Sequence, residues 1–139
     1  GPTEREILAL RDARAGEAFF AIYRPPAPGD DYAAPPRRLG KPTRGTAATI
    51  LEYLAERGIS KVLAVGEDAE RLALTLPLTG CLAGVRTPAV TPVEILSLAH
   101  PRFVPGTTDD ADALAPLYLQ PSTPEKRLAE KQARAGGAP

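Results

Sequence analysis

The sequence predicts an α/β lobe on a mixed sheet, antiparallel at its opening hairpin, with helix-connected strands added beside it and helices packed on it. Three observations carry that reading. Two apolar runs near the start are joined by a tight charged connection; helical periodicity then alternates with short apolar runs; and capping or turn residues stand at the junctions between them. A chain of 139 residues with 43% hydrophobic content is enough for one compact domain and short for two.

The opening element is Ile7 to Arg24. Ile7, Leu8 and Leu10 on one side and Phe19, Phe20, Ile22 and Tyr23 on the other carry the apolar, β-branched and aromatic bias of strands. Between them Gly16 accepts the positive φ that a reversal requires. A β-hairpin follows, with Phe19 and Phe20 on opposite faces. Its connection crowds Asp12, Arg14, Gly16 and Glu17 into one short stretch, either as a solvated turn or as the lining of a site, and Arg14 is expected to pair with Asp12 or Glu17.

From Pro25 to Pro42 six prolines remove six backbone donors, and each biases its predecessor away from helix. A surface excursion is expected, with room for one short edge strand around Arg37 to Leu39. The prolines hold no clean repeat of the kind a polyproline ligand needs. Thr46 to Arg57 is the first helix: Ala47, Ile50, Leu51 and Leu54 recur at helical spacing, Thr46 caps the start and Gly58 closes the end. Lys61 to Gly66 reads as a strand buried on both faces, and Ala69 to Leu76 as a second helix stopped by Pro77. The turn Val65-Gly66-Glu67-Asp68 between them is where α/β proteins place phosphates, but two carboxylates would repel one, so the acids are read as stabilising the helix start. Gly80 to Arg86 is a third strand. Thr91, Pro92 and Glu94 then open a third helix as N-cap, first-turn proline and capping-box acid, with Ile95, Leu96, Leu98 and Ala99 as its apolar face and His100-Pro101 at its end.

Catalytic schemes find little to work with. His100 is the one histidine, and nothing around Ser97 or Cys81 places it as a base. One His and one Cys without spaced acids make no metal signature; Asp109, Asp110 and Asp112 lack the spacing of a calcium loop and read as solvated. Cys81, the single cysteine, forms no internal disulfide and reads as a buried inert thiol, which suits a cytoplasmic setting. The 17 basic and 17 acidic residues balance, so no basic field points to nucleic acid or an anionic membrane, and no run is long enough to span one. The lack of methionine and the opening Gly1-Pro2 suggest a processed or excised piece. The domain is expected over residues 3–120. Residues 121–139, where Leu128 is the one large apolar side chain, are expected to form a frayed or disordered tail.

Two strings resemble one known family. Asp12-Ala13-Arg14-Ala15-Gly16-Glu17-Ala18-Phe19 is similar to the D-A-R-x-G-E-V/A-aromatic pattern that opens the second lobe of TsaB proteins. Ala115-Pro116-Leu117-Tyr118-Leu119 is similar to the P-x-Y-L-R string near that family's C-terminus. Their order and spacing match, over roughly Ile7 to Gln120; Gln120 stands where Arg is usual, and Asp68 where the family tends to have Gly.

The resemblance implies one lobe of the RNase H-like and actin-like type. It also implies a non-catalytic component of the machinery that makes threonylcarbamoyladenosine in tRNA. TsaD would be met mainly through a first lobe that this chain lacks, and TsaE in the assembled complex, while self-association stays open. Asp12, Arg14, Gly16, Glu17 and Tyr118 are the candidate partner or cleft contacts. No catalytic residue, metal or cofactor is expected. In that superfamily nucleotide lies between lobes, gripped by glycine-bearing turns, yet only Gly16 here offers an amide free of side-chain bulk. The other reading is an enzyme: a lobe of an actin-like kinase, which should show a glycine-rich phosphate turn, or of a metallopeptidase, which should show a His-x-x-x-His pair. The chain has neither.

Overall fold

In a computed structural model that describes residues 6–27, 29, 34–103, 105, 106, 109–119 and 121–136, the predicted hairpin forms the centre of a six-stranded mixed sheet. Strands β1 (Glu6–Arg14) and β2 (Glu17–Arg24) pair antiparallel, with Leu8 opposite Ile22 and Leu10 opposite Phe20. Strand β5 (Val62–Val65) joins the far side of β1 in parallel, and β6 (Leu82–Arg86) joins β5 in parallel. The outer edge of β2 carries two short strands where the sequence promised room for one. Strand β3 (Arg37–Arg38) pairs with its end, and β4 (Thr43–Gly45) with its start. Gly40, at φ +89°, and Pro42 lie between the two and break what would otherwise be one edge strand.

The period of two sorts the large side chains of the hairpin. Leu8 and Leu10 of β1 and Ala18, Phe20 and Ile22 of β2 are buried, together with Val62 and Ala64 of β5. Helix α1 (Ala47–Ala55) brings Ile50 and Leu54 into the same cluster, and helix α2 (Ala69–Thr75) brings Leu72. Phe20, 2% exposed, meets Tyr53 of α1 edge to face at 5.4 Å. On the opposite face Ile7, Phe19, Tyr23, Leu63 and Val65 stay half-buried.

Helix α1 starts and stops as its sequence predicts. The Thr46 hydroxyl accepts the Thr49 N–H at 3.5 Å, and Gly58, at φ +65°, lets the chain fold back so that Ile59 N–H reaches the Leu54 carbonyl at 3.0 Å. Helix α3 (Pro92–Ala99) also begins at its predicted cap: the Glu94 carboxylate accepts the Thr91 N–H at 2.9 Å, and His100 caps its end. Its apolar face, however, does not pack into the core. No residue of α3 is buried, and Val93, Ile95, Leu96 and Leu98 are all more than half exposed. Capping acts within one turn and builds the helix; it supplies no sheet surface for that helix to cover.

The chain divides into two units, residues 1–109 and 110–139. In the second unit Asp110 caps a 3-10 turn (Ala111–Ala113), accepting the Asp112 N–H at 3.0 Å. The stretch read as a frayed tail holds helix α4 (Thr123–Gly136), with every side chain exposed. A local capping box sustains its start: Glu125 accepts the Ser122 N–H at 2.5 Å, and the Ser122 hydroxyl accepts the Glu125 N–H at 3.4 Å. Residues 1–5, Gln120 and residues 137–139, on which the expected domain ends and tail end fall, lie outside the described residues. Among the described residues no helix is long and apolar enough to cross a membrane.

Candidate functional site

The hairpin tip reverses through Ala15 and Gly16, at φ +53° and +76°, and Arg14 before them also stands at φ +64°. Positive φ at both central residues suits the right-handed twist of the two strands. Gly16 adopts it freely, whereas Arg14 and Ala15 hold a conformation that L-residues populate sparsely. A register shift between Asp12 and Arg14 leaves Ala13 as the extra residue of a bulge.

Alternation along β1 puts Asp12 on the face of Leu8 and Leu10, one step past the core, where α2 begins. The turn from β5 into α2 comes close to it because residue 66 is glycine. At φ +150°, Gly66 passes so near β1 that a Cβ there would lie 2.1 Å from the Leu10 carbonyl oxygen. Only a residue without a side chain allows that approach. It sets Asp68 beside Asp12.

The two carboxylates then share a guanidinium. Arg71 Nη2 lies 3.0 Å from Asp12 Oδ2 and 3.0 Å from Asp68 Oδ1. The remaining oxygens are also engaged: Asp68 Oδ2 accepts the Asp12 N–H at 3.0 Å, and Asp12 Oδ1 accepts the Arg14 N–H at 2.9 Å. All four carboxylate oxygens therefore have a donor. The Asp12 amide, and after it Arg71, hold the Asp68 carboxyl below its ordinary pKa, and the same pairing, led by Asp68, raises that of Arg71. On the other side of the tip, Arg44 of β4 pairs with Glu17 at 2.5 Å and donates to the Ala13 carbonyl at 3.4 Å.

Two sequence expectations change here. Arg14 pairs with neither Asp12 nor Glu17: Arg71 and Arg44 take those acids, and among the described residues Arg14 joins no ion pair. Asp68 stands at the start of α2 but makes no side-chain cap there; its carboxylate binds the end of β1 instead. Arg71 was signalled only as a neighbour of Asp68 three residues along the helix. Nothing local announced its reach to Asp12, or that of Arg44 to Glu17.

The structure thus gathers Asp12, Arg14, Gly16 and Glu17 at one hairpin tip, whereas Tyr118 belongs to the second unit, where it is 79% exposed. Chemically the tip is a closed set of ion pairs and amide contacts. A carboxylate saturated by donors is a poor general base, and the amides of Asp12 and Arg14, already bonded to carboxylates, are not offered to an anion. No group of three His, Cys, Asp or Glu side chains placed to hold a metal occurs among the described residues. Cys81 is buried, its Sγ 3.1 Å from the Leu78 carbonyl, and burial raises its pKa, as suits an inert thiol.

Comparison with known proteins agrees at the level of the fold. The chain is similar to the crystal structure of an uncharacterized protein with similarity to peptidase YEAZ from Pseudomonas aeruginosa, with a TM-score of 0.50 and 15% sequence identity. The match covers 86% of this chain and 51% of that one, so the chain spans about half the length of its structural neighbour. No family profile and no curated protein matches the sequence. The class so defined is a mixed α/β lobe with a six-stranded sheet, and the likeness reaches the fold alone.

Proposed function

We propose that this chain is a non-catalytic, TsaB-like lobe of the machinery that installs threonylcarbamoyladenosine in tRNA, supporting a neighbouring lobe that meets TsaD. The observation that carries the proposal is the hairpin tip. The Asp-Ala-Arg-x-Gly-Glu string that resembles TsaB folds there into a turn whose acids are bound by Arg71 and Arg44 and whose Asp12 and Arg14 amides are bound by acids. In a nucleotide-binding lobe that turn would present open amides; here it braces β1 against α2. The coarse likeness to a YEAZ-like structure supports the same reading, since YEAZ is a TsaB homologue. The setting proposed is cytoplasmic, with no cofactor.

The test pairs this chain, and a two-lobed parent protein, with TsaD from the same organism in a pull-down followed by threonylcarbamoylation of tRNA. The expected result is weak or no capture by this chain and clear capture by the parent. Full activity restored by this chain alone would overturn the supporting role, and a parent that fails to bind TsaD would overturn the TsaB-like assignment. Micromolar ATP binding in calorimetry that depends on Arg14 would favour the kinase-like alternative.

A further inference from the structure

Helix α3 carries more apolar surface than the lobe uses. Leu96 and Leu98 are 66% and 57% exposed, and Phe103, just beyond the helix, is 72% exposed. These side chains, with Ile95, face Tyr23 and the short strand β3 across an open groove of about 1450 Å³. Small-ligand sites usually enclose about 300–1,000 Å³. This groove is of the size that takes a piece of polypeptide, and its exposed apolar side chains are a candidate docking surface.

The polar groups around it specify the occupant's charge. Arg37 and Arg38 of β3 and Arg102, just past the end of α3, line the groove, and among the described residues Asp109 is the one carboxylate that does. Among the described residues none of the three arginines is held in an ion pair. Arginines beside an apolar surface complement a segment whose stripe of apolar side chains is flanked by carboxylates, to which guanidinium groups bind bidentately.

Backbone geometry selects the form of that segment. Strand β3 is two residues long, preceded by Pro35 and Pro36 and followed by Gly40 and Pro42, so its edge offers too little ladder for an added strand. A helix laid in the groove needs no ladder, only anchors at i, i+3, i+4 and i+7. A second copy of this chain fits poorly. The turn after its α3 would bring His100 and Arg102 toward the same arginines, and its α4 has only Leu128 as a large apolar anchor. We infer that the groove between α3 and β3 docks an acidic amphipathic helix of a partner protein. This site is separate from the hairpin tip, and the inference does not rest on the tRNA-modification proposal.

The probe is a fluorescein-labelled helical peptide with leucine at i, i+3, i+4 and i+7 and glutamate on its flanks, titrated with the whole chain and read by fluorescence anisotropy. A peptide with lysine at every glutamate is the control. The acidic peptide should bind at least about tenfold more tightly than the basic one and weaken as salt is raised. Arg38→Glu should weaken it about threefold or more, and Leu96→Asp about tenfold or more. Both positions are exposed, and circular dichroism checks that each variant keeps the fold of the parent. Equal affinity for the two peptides, or affinity unmoved by both variants, would overturn the assignment. So would a concentration-dependent dimer in light scattering that Leu96→Asp abolishes, because the face would then belong to a second copy.

Discussion

Helices α1 and α3 are near twins in sequence and opposites in use. They run nine and eight residues, each begins at a threonine cap, and each carries a leucine- and isoleucine-bearing apolar face. Helix α1 buries Ala47, Ile50 and Leu54 against the sheet, while α3 buries nothing. The difference lies in what stands opposite them. Strand β2 and its neighbours present Leu8, Phe20 and Ile22 to α1, whereas α3 overlooks an edge where Arg37, Arg38 and prolines replace a continuous apolar strand. Local sequence builds a helix; its partner surface decides whether that helix adds stability.

The hairpin gives the widest expected contrast. Phe20→Ala removes a ring packed against Tyr53 and should lower the unfolding free energy by about 3–5 kcal/mol, while Phe19→Ala, on the half-buried face, should cost clearly less. Equal, small losses in urea titrations would show that the hairpin is not the centre of the core. The helices themselves come next. Leu54→Ala should cost about 2–5 kcal/mol, and Leu96→Ala about 0.5 kcal/mol or less. A large loss at Leu96 would mean that α3 packs in solution and would break the contrast between the two helices.

Smaller effects sharpen it. Thr46→Ala should lower global stability by about 0.5–2 kcal/mol. Thr91→Ala should reduce helical circular dichroism while leaving the global transition within about 0.5 kcal/mol, because α3 can fray without opening the core. The smallest expected effect is on acid sensitivity. Asp68 has a folded pKa depressed by the Asp12 amide and Arg71. Its contribution is therefore present above the unfolded value of about 3.9 and is lost as pH falls below that toward the folded value. Asp68→Asn should reduce the acid-induced drop in the urea midpoint; a drop of unchanged size would remove Asp68 from the explanation.

Much of this architecture was readable from residues in order. Alternation in β1 and β2, Thr46 with Gly58, and the Thr91, Pro92 and Glu94 cluster each act within a few positions, so a linear reading finds them. The misreadings share one cause. Asp68 looked like a helix stabiliser because its contact, the amide of Asp12, lies 56 residues away. Arg14 looked like the partner of Asp12 and Glu17 because it sits between them, yet β1 alternation and the close passage of Gly66 hand Asp12 to Arg71, and the pairing of β4 with β2 hands Glu17 to Arg44. At the candidate site the residue types were legible and the pairing was not, because pairing is decided by which elements the sheet brings together. The tail erred the other way: it lacked anything to bury, and the Ser122 and Glu125 box still closes a helix start without tertiary help.

Cys81 turns this uneven molecule into its own gauge. Its carbonyl accepts the Val62 N–H at 2.9 Å, and its sulfur is buried within the cluster that Ile50, Leu54 and Leu72 complete. A thiol so placed, with its pKa raised by burial, meets an alkylating reagent only when the α2 and β6 side of the core opens. Its labelling rate in native buffer therefore counts core openings directly, and fraying of α3 alone leaves that clock unchanged.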